Sequence, residues 1–170
     1  MSKSSPLKLR MSKHRRLAFK PVEYQHRYEL VLDNMKNAGL DALLVHCPEN
    51  ITYLTGYETP GYYGYHCLVM VRGQQPVLVG RRIEMLTNVP EFSWLTQTVS
   101  VEDHQIPIEI TSKVIEKLGM ARRKIGIEKS GWFFPVHEYE ALQARLPRAN
   151  LTDGSGLIEA ARLIKSEAEV

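Results

Sequence analysis

Short apolar runs alternate with amphipathic helical patterns from residue 21 to the end of the chain. The apolar runs are bounded by glycine, proline or polar residues, which is typical of strands buried within a sheet. They occupy residues 41–46, 67–71, 76–80 and 124–128, with a less regular outer run at 96–101. Between them, apolar residues recur at intervals of three and four positions and predict helices over 21–38, 48–53, 81–89, 107–119, 135–146 and 156–165.

This alternation predicts an α/β fold in which helices cover both faces of a mixed, mostly parallel sheet. The runs 67–71 and 76–80 are expected to pair antiparallel, because only the tight turn at 72–75 separates them. The sequence therefore predicts one internal hairpin and a single domain over residues 21–164.

The first 20 residues carry seven lysines and arginines and no acidic residue. Removing them from the totals leaves 15 basic and 19 acidic residues in 21–170, a net charge of −4. We expect residues 1–20 to form a disordered basic tail, since they lack apolar periodicity. The tail offers no series of aromatic side chains for stacking on bases, so no nucleic-acid partner is expected.

Several other classes of function are disfavoured. No run of about 18 apolar residues exists, so no membrane partner is expected. Cys47 and Cys67 cannot form a disulfide scaffold, which favours a cytoplasmic location and thiols that are inert core groups. No histidine pair has metal-ligand spacing, and the triplet 102–104 (Glu-Asp-His) is interpreted as a polar strand end, so no metal or cofactor is expected in this chain.

The segment from His46 to His66 is rich in tyrosine and follows the first buried run. Ligand crevices in open α/β sheets lie at the carboxyl ends of strands, which places this segment beside a candidate site. Tyrosine rings with polar tips suit the binding of a small polar ligand, so Tyr62, Tyr65 and His66 are the candidate substrate-binding residues. Tyr53 is expected in the core, and no catalytic residue is assigned. His66 has a second interpretation, as a strand-end histidine hydrogen-bonded to neighbouring backbone, and both stay open here.

The last six residues, Lys165–Val170, have the pattern of another helix beginning. Ser166 is a suitable N-cap and Glu169 follows three residues later, which is the spacing of a capping box. We therefore expect residues 165–170 to start a linker helix that leads into a further domain.

Two separated motifs resemble signatures of the creatinase/prolidase family. Residues 48–56 read P-E-N-I-T-Y-L-T-G and are similar to the family's P-x-N-x-x-Y-L-[ST]-G signature. Residues 161–169 read A-R-L-I-K-S-E-A-E and are similar to the R-x-I-K-[ST]-x-x-E junction that precedes the family's catalytic domain. The hairpin and the I-G-I-E run at 125–128 occur in the order that the family shows.

The resemblance implies the N-terminal domain of a two-domain hydrolase, with ribonuclease H-like layering, related to Xaa-Pro dipeptidases, creatinases and ectoine hydrolases. In this family a C-terminal pita-bread domain carries the chemistry and usually holds two divalent metal ions. The N-terminal domain helps to form a homodimer, and its loop, here 57–66, reaches the partner's active site. Creatinases carry an aromatic residue and an arginine in this loop. Tyr62 matches the aromatic residue, but 57–71 contains no arginine, which argues against creatine as the substrate.

Two functions are consistent with these observations. The first is a non-catalytic domain serving dimerisation and substrate recognition in a hydrolase that cleaves a C–N bond in an Xaa-Pro dipeptide or a small amide or cyclic amidine. The second is a stand-alone module that binds a small ligand or a protein through the tyrosine loop, with the basic tail on an anionic partner. The first predicts roughly 230 further residues in the same reading frame, and the second predicts a stop codon near residue 170.

Overall fold

The computed structural model describes residues 8–10 and 16–170, which form six strands and seven helices. In chain order these are α1 Pro21–Asn37, β1 Ala42–Val45, α2 Pro48–Thr55, β2 His66–Val71, β3 Val77–Arg81, α3 Arg82–Leu86, α4 Asn88–Phe92, β4 Thr98–Val101, α5 Pro107–Lys117, β5 Lys124–Ile127, α6 Val136–Arg145, β6 Asn150–Asp153 and α7 Leu157–Leu163. Within the described ranges, no helix combines the length and apolar character needed to cross a membrane.

Helices α1 and α2 begin and end at residues that the sequence indicates. Each has a proline in its first turn, Pro21 or Pro48, where the missing N–H is not needed. Gly39 follows α1 and Gly56 caps α2 with φ values of 66° and 74°, which glycine adopts without strain. Gly56 is constrained further, because a Cβ there would lie 2.8 Å from the hydroxyl of Tyr24.

The strands form one sheet in the order β4-β3-β2-β1-β5-β6. Strand β2 pairs antiparallel with β1 and β3, whereas the other three pairings are parallel, so β2 alone runs against the rest. In the central register, Leu44 lies beside Val69 of β2 and Ile127 of β5. The predicted mixed, mostly parallel sheet with one internal hairpin is confirmed.

Helices cover both faces of the sheet, as predicted. The first face carries α1, α2, α3, α4 and α7, packed on the strand residues Leu43, Val45, Leu68, Met70 and Leu78. The second face carries α5 and α6, packed on Leu44, Cys67, Val69, Val79, Ile125 and Ile127. These two sets alternate along each strand because successive strand side chains point to opposite faces.

Two regions differ from the sequence expectation. Strand β6 was not predicted, because Asn150–Asp153 has a single apolar residue, Leu151, and pairs with β5 on one side only. The helix expected over 81–89 is instead the end of β3 followed by α3 and α4, which are separated at Thr87. Edge strands and short helices bury few side chains, so their sequences show no clear apolar periodicity.

Residues from the predicted tail pack on the body of the domain. Leu9 is buried in the first-face core, and Phe19 packs against the same core. The Arg16 N–H donates to the Glu91 carbonyl at 2.8 Å, and the two side chains form an ion pair at 3.2 Å.

The prediction of a disordered tail over 1–20 is therefore corrected for residues 8–10 and 16–20. These segments contain apolar side chains that the domain buries, although their spacing shows no helical or strand period. The remainder of the predicted tail, residues 1–7 and 11–15, lies outside the described residues.

Residues 167–169 form a turn, and the Glu169 N–H donates to the Ser166 carbonyl at 3.0 Å. The Ser166 N–H donates to Glu169 Oε2 at 2.9 Å, as in a capping box, and the Ser166 hydroxyl donates to Glu23 of α1 at 2.9 Å. Glu169 also pairs with the buried Arg27 at 3.0 Å. These contacts hold the segment against α1, and the linker helix expected to start at 165–170 stays a prediction.

Candidate functional site

An open cleft of about 910 Å³ lies on the first-face side of the domain. Its walls come from α2, from the loop 57–62, from residues 18–19 and from the C-terminal residues 162–169. We call it the tyrosine cleft; the aromatic and charged side chains lining it include Phe19, Tyr24, Arg27, Glu49, Tyr53, Tyr57, Tyr62, Phe92, Phe133, Arg162 and Lys165. Because α2 directly follows β1, the cleft lies at the edge of the sheet where β1 ends.

The structure brings two of the three predicted binding residues together. Tyr62 and His66 both line the tyrosine cleft. Tyr65 lies on the second face instead, where its hydroxyl is 2.7 Å from Thr111 Oγ1. Adjacent residues entering a strand point to opposite faces, which separates Tyr65 from His66.

Tyr62 is the most accessible of the three predicted residues. Its side chain is 55% exposed, and its ring meets that of Tyr63 edge to face with centroids 6.0 Å apart. Tyr63 is 78% exposed and does not line the cleft. Tyr62 is therefore free to contact a ligand at the rim, with an adjacent tyrosine pointing elsewhere.

His66 is almost fully buried, with 4% of its surface exposed. Its Nδ1 lies 3.0 Å from the Gly64 carbonyl oxygen, so Nδ1 carries the hydrogen in that contact, and its Nε2 lies 2.9 Å from the Tyr57 hydroxyl. Burial lowers the pKa of His66, and this outweighs the opposing effect of the Glu84 carboxylate, so the neutral ring is favoured near pH 7. The backbone contact is the one that the strand-end interpretation expects.

The residues that carry the family resemblance meet in one buried network. Glu128, at the end of β5, accepts the backbone N–H groups of His46 at 2.6 Å and Cys47 at 2.9 Å, and the Asn50 amide at 2.6 Å. Arg162 donates to Asn50 Oδ1 at 2.7 Å. Burial raises the pKa of Glu128 despite these bonds. The network joins α2, β5 and α7 and has a structural role, fixing the back wall of the cleft.

Arg27 is a buried guanidinium that joins both ends of the chain to α1. Its Nε lies 2.8 Å from Glu23, its Nη1 donates to the Tyr53 carbonyl at 3.1 Å, and its Nη2 lies 3.0 Å from Glu169. Its guanidinium carbon lies 4.1 Å from the ring centroid of Phe19, a stacked cation–π arrangement. Sequence reasoning missed Arg27; the available signal was the Glu23–Arg27 spacing of four positions.

The two thiols have little thiolate character. Burial raises the pKa of Cys47 to about 11, with the Glu49 carboxylate adding to the effect. Burial also raises the pKa of Cys67, which lies in the second-face core. A nucleophilic cysteine needs the opposite shift, so neither thiol is assigned a catalytic role.

No three histidine, cysteine or carboxylate side chains converge on a metal-sized space within residues 8–10 and 16–170. In the triplet considered from sequence, Glu102 faces Arg82 at 3.4 Å and Asp103 faces Arg81 at 3.7 Å. The surroundings of these carboxylates are those of surface ion pairs.

The fold is similar to that of a solved Creatinase/Prolidase N-terminal domain of an X-Pro dipeptidase from Streptococcus pyogenes, with a TM-score of 0.64. The chain is similar to an XXA-Pro aminopeptidase from Streptococcus pyogenes, with a TM-score of 0.68 and 22% identity over 84% of this chain and 100% of that one. It is similar to the dipeptidase PepE from Mycobacterium ulcerans, with a TM-score of 0.71 and 21% identity over 89% of this chain and 39% of that one.

The chain belongs to the Creatinase/Prolidase N-terminal domain family, whose sequence model matches residues 27–164. Among curated proteins, the ectoine hydrolase from Halomonas elongata is 26% identical over 163 residues, or 91% of this chain. The chain spans 41% of that relative's length. The resemblance drawn from the two sequence motifs is confirmed.

Proposed function

We propose that this chain is the non-catalytic N-terminal domain of a two-domain hydrolase that cleaves a C–N bond in an Xaa-Pro dipeptide or a small amide or cyclic amidine. The observation that carries the proposal is the family match over 27–164 in a chain that spans 41% of a curated relative. The remaining part of such a protein would supply the catalytic domain and the two divalent metal ions that the family usually holds there. This domain would serve dimerisation and substrate recognition in the cytoplasm.

Within this domain, we assign substrate contact to Tyr62. Its ring is exposed at the rim of the tyrosine cleft, on a loop that begins beyond the end of β1. His66 lies beneath the loop and is hydrogen-bonded within the domain, which suits a supporting role. Tyr65 anchors the end of the loop to α5 through Thr111. Of the three candidates from the sequence, Tyr62 is thus assigned to substrate contact, and Tyr65 and His66 are assigned to supporting the loop.

The first test is hydrolysis by the protein encoded by the complete reading frame that contains this chain. We expect cleavage of an Xaa-Pro dipeptide such as Leu-Pro, or of ectoine, in the presence of Mn²⁺ or Zn²⁺. A reading frame that ends near residue 170, with binding but no hydrolysis, would instead support the stand-alone binding module.

The role of Tyr62 is tested against its neighbour. In the complete enzyme, Tyr62→Ala should lower kcat/KM by roughly tenfold, or about 1.4 kcal/mol, because a ring that touches the substrate is removed. Tyr63→Ala is the matched control, since it removes an adjacent exposed ring that does not line the cleft, and should change kcat/KM less than twofold. Equal losses in both variants would remove Tyr62 as a contact residue.

Mixed dimers test whether the loop acts across a dimer. Subunits carrying Tyr62→Ala are combined with subunits inactivated at a metal ligand of the catalytic domain. If the loop serves the partner's active site, the mixed dimer regains activity, because the intact loop of one subunit meets the intact catalytic domain of the other. Activity that stays at the level of the two parents would place the loop's role within one subunit.

A further inference from the structure

The loop 57–65 contains no helix or strand, so its conformation depends on hydrogen bonds at its base. Within the loop, the Gly64 N–H donates to the Gly61 carbonyl at 2.9 Å, and the Gly61 N–H donates to Thr59 Oγ1 at 2.9 Å. These bonds shape the turn but do not attach it to α3, which lies beside it. That attachment comes from a side chain outside the loop.

Glu84 of α3 makes this attachment through its carboxylate. Its Oε2 accepts the Tyr57 hydroxyl at 2.8 Å and the Asn88 amide at 2.8 Å. The nearby Thr59 hydroxyl acts to lower the pKa of this carboxyl group. A Cβ on Gly61 would lie 3.0 Å from Glu84 Oε1, so the loop backbone passes close to the second oxygen. Glu84 thus meets the first, third and fifth residues of the loop.

Glu84 is a buried carboxylate whose hydrogen-bond donors are neutral groups. Only 9% of the residue's surface is exposed. Burial acts to raise the pKa of Glu84, but the hydrogen bonds from Thr59, Tyr57 and Asn88 together lower it, so the carboxylate form is kept at neutral pH. A charged carboxylate is a stronger hydrogen-bond acceptor than a neutral amide. An isosteric Glu84→Gln change therefore weakens the contacts with Tyr57 and Asn88 without opening a cavity.

The Tyr57 hydroxyl lies between Glu84 and His66. Its single hydroxyl hydrogen faces two acceptors, Glu84 Oε2 at 2.8 Å and the neutral His66 Nε2 at 2.9 Å. The charged carboxylate is the stronger acceptor, so it fixes the direction of the hydroxyl. The Tyr57 ring is 3% exposed and packs in the first-face core. This packing fixes the position of the first residue of the loop.

We propose that Glu84 is a positioning residue that holds loop 57–65, through Tyr57, in the conformation that presents Tyr62 to the substrate. This inference rests on the proposed function of Tyr62 and deepens it, because it names the group that sets the loop's geometry. Glu84 lies outside the loop, on a helix that sequence patterns did not connect with the site.

The first experiment measures amide hydrogen exchange in the 170-residue chain. Glu84→Gln should accelerate exchange in residues 57–66 by roughly tenfold while β1 and β5 keep their protection, because only the loop loses its attachment. Glu91→Gln is the matched control, since Glu91 lies on the adjacent α4 and forms an exposed ion pair with Arg16. Unchanged exchange in the loop, or acceleration spread over the whole sheet, would contradict the proposal.

The second experiment measures kinetics of the complete enzyme with Leu-Pro or ectoine, whichever the wild type hydrolyses. Glu84→Gln should raise KM by roughly tenfold with kcat within about twofold, because the loop binds substrate and does no chemistry. Tyr57→Phe, which deletes only the hydroxyl, should raise KM in the same direction. In a Tyr62→Ala background, Glu84→Gln should have little further effect on KM, because both changes remove the same contact.

The outcomes separate this inference from the function on which it rests. If Tyr62→Ala leaves KM unchanged, the proposed role of Tyr62 fails, and this inference fails with it. If Tyr62→Ala raises KM but Glu84→Gln does not, Tyr62 keeps its role and Glu84 loses its own. If the two effects on KM multiply in the double variant, Glu84 acts on the enzyme by another route and the positioning role is rejected.

Discussion

His46 is a buried histidine whose ring nitrogens have no hydrogen-bond partner among the described residues. Its ring stacks on Phe134 with centroids 4.1 Å apart and meets Tyr65 edge to face at 5.8 Å. Burial lowers the pKa of His46 to about 3. At the residue scale, this side chain acts as an aromatic core group, and its protonation would place an unpaired charge in the core.

This predicts an acid-sensitive component of stability. In the unfolded chain a histidine protonates near pH 6.5, whereas the folded ring stays neutral down to about pH 3. The stabilisation is complete above pH 6.5 and is lost as the pH falls, by about 1.4 kcal/mol per pH unit, because the unfolded chain binds one more proton. His46→Leu should flatten this decline when the free energy of unfolding is measured by urea titration between about pH 7 and pH 5.

Other titrating groups also change the stability with pH, so the effect of His46 has to be measured as a difference between variants. Burial raises the pKa of Glu128 and of Glu138, which favours the folded state as the pH falls, so the wild-type curve alone mixes opposite effects. The difference between His46→Leu and wild type isolates the histidine. His104→Leu, at an exposed position, is the control and should keep the wild-type slope. A slope that persists in His46→Leu would assign the acid sensitivity to other groups.

Single residues of the site were only partly predictable from the sequence. The tyrosine-rich loop was identified by composition, and Tyr62 lies where its Gly-punctuated surroundings indicate. Tyr65 could not be separated from His66, because the exact start of β2 decides which side chain faces the cleft. Glu84 gave no local signal, since its meaning comes from Tyr57, which lies 27 positions earlier in the chain.

At the scale of elements, residues 8–10 and 16–20 add to the core although these described residues lie in no helix or strand. Leu9 is 6% exposed, and Leu17 and Phe19 pack against the first-face core. Phe19 also covers the guanidinium of Arg27 and lines the tyrosine cleft. The segment is a wall of the cleft as well as a cover for α1, so its loss should affect both stability and the shape of the site.

Removing residues 1–20 should therefore destabilise the domain. A variant that begins at Pro21 should melt about 3 °C lower than the full chain or more, since a loss on the order of 1 kcal/mol has that effect in a domain of this size. Leu9→Ala should account for part of the shift, because it removes a buried side chain. Lys8→Ala, at the adjacent exposed position, should leave the melting temperature unchanged. Equal melting of the shortened and full chains would show that these contacts contribute nothing in solution.

The sequence predicts the elements that have a strong apolar pattern of their own. It does not predict the segments whose structure depends on contacts with other elements. The buried runs of β1, β2, β3 and β5 and the glycines that end α1 and α2 are visible in the sequence, because each depends on its own residues. Strand β6 and the turn at 167–169 depend on others: β6 pairs with β5, and Ser166 and Glu169 bind side chains of α1. Glu169 accepts the Ser166 N–H with one carboxylate oxygen and pairs with Arg27 of α1 through the other.

At the scale of the whole molecule, the chain has the organisation of a self-contained domain. Two buried clusters lie on opposite faces of one sheet, and the buried Glu128 network and the Arg27 cluster connect the beginning, middle and end of the chain. The similar solved chain from Streptococcus pyogenes is matched over 100% of its length, so it has the size of this domain alone.

We expect the 170-residue chain to fold cooperatively and to catalyse no hydrolysis. Far-ultraviolet circular dichroism and fluorescence of the buried Trp94 should report one coincident unfolding transition. Leu-Pro and ectoine should stay intact in the presence of Mn²⁺, because the described residues offer no converging metal ligands and no activated nucleophile. Turnover that is abolished by His104→Ala would overturn this expectation and assign a site to the triplet 102–104.

The reversed direction of β2 has a consequence for how this domain can diversify. Two adjacent parallel strands need a crossover connection that returns the chain from one end of the strands to the other. The length of that connection is therefore set by the dimensions of the sheet. Because β2 is antiparallel to β1, the connection over residues 46–65 begins and ends at the same end of the two strands and does not have to cross the sheet. Beyond the buried α2 and Tyr57, residues 58–63 of this connection can be exchanged, lengthened or shortened while the strand register stays in place. A lineage of such domains is thereby free to vary one surface segment beside the tyrosine cleft while keeping a constant scaffold.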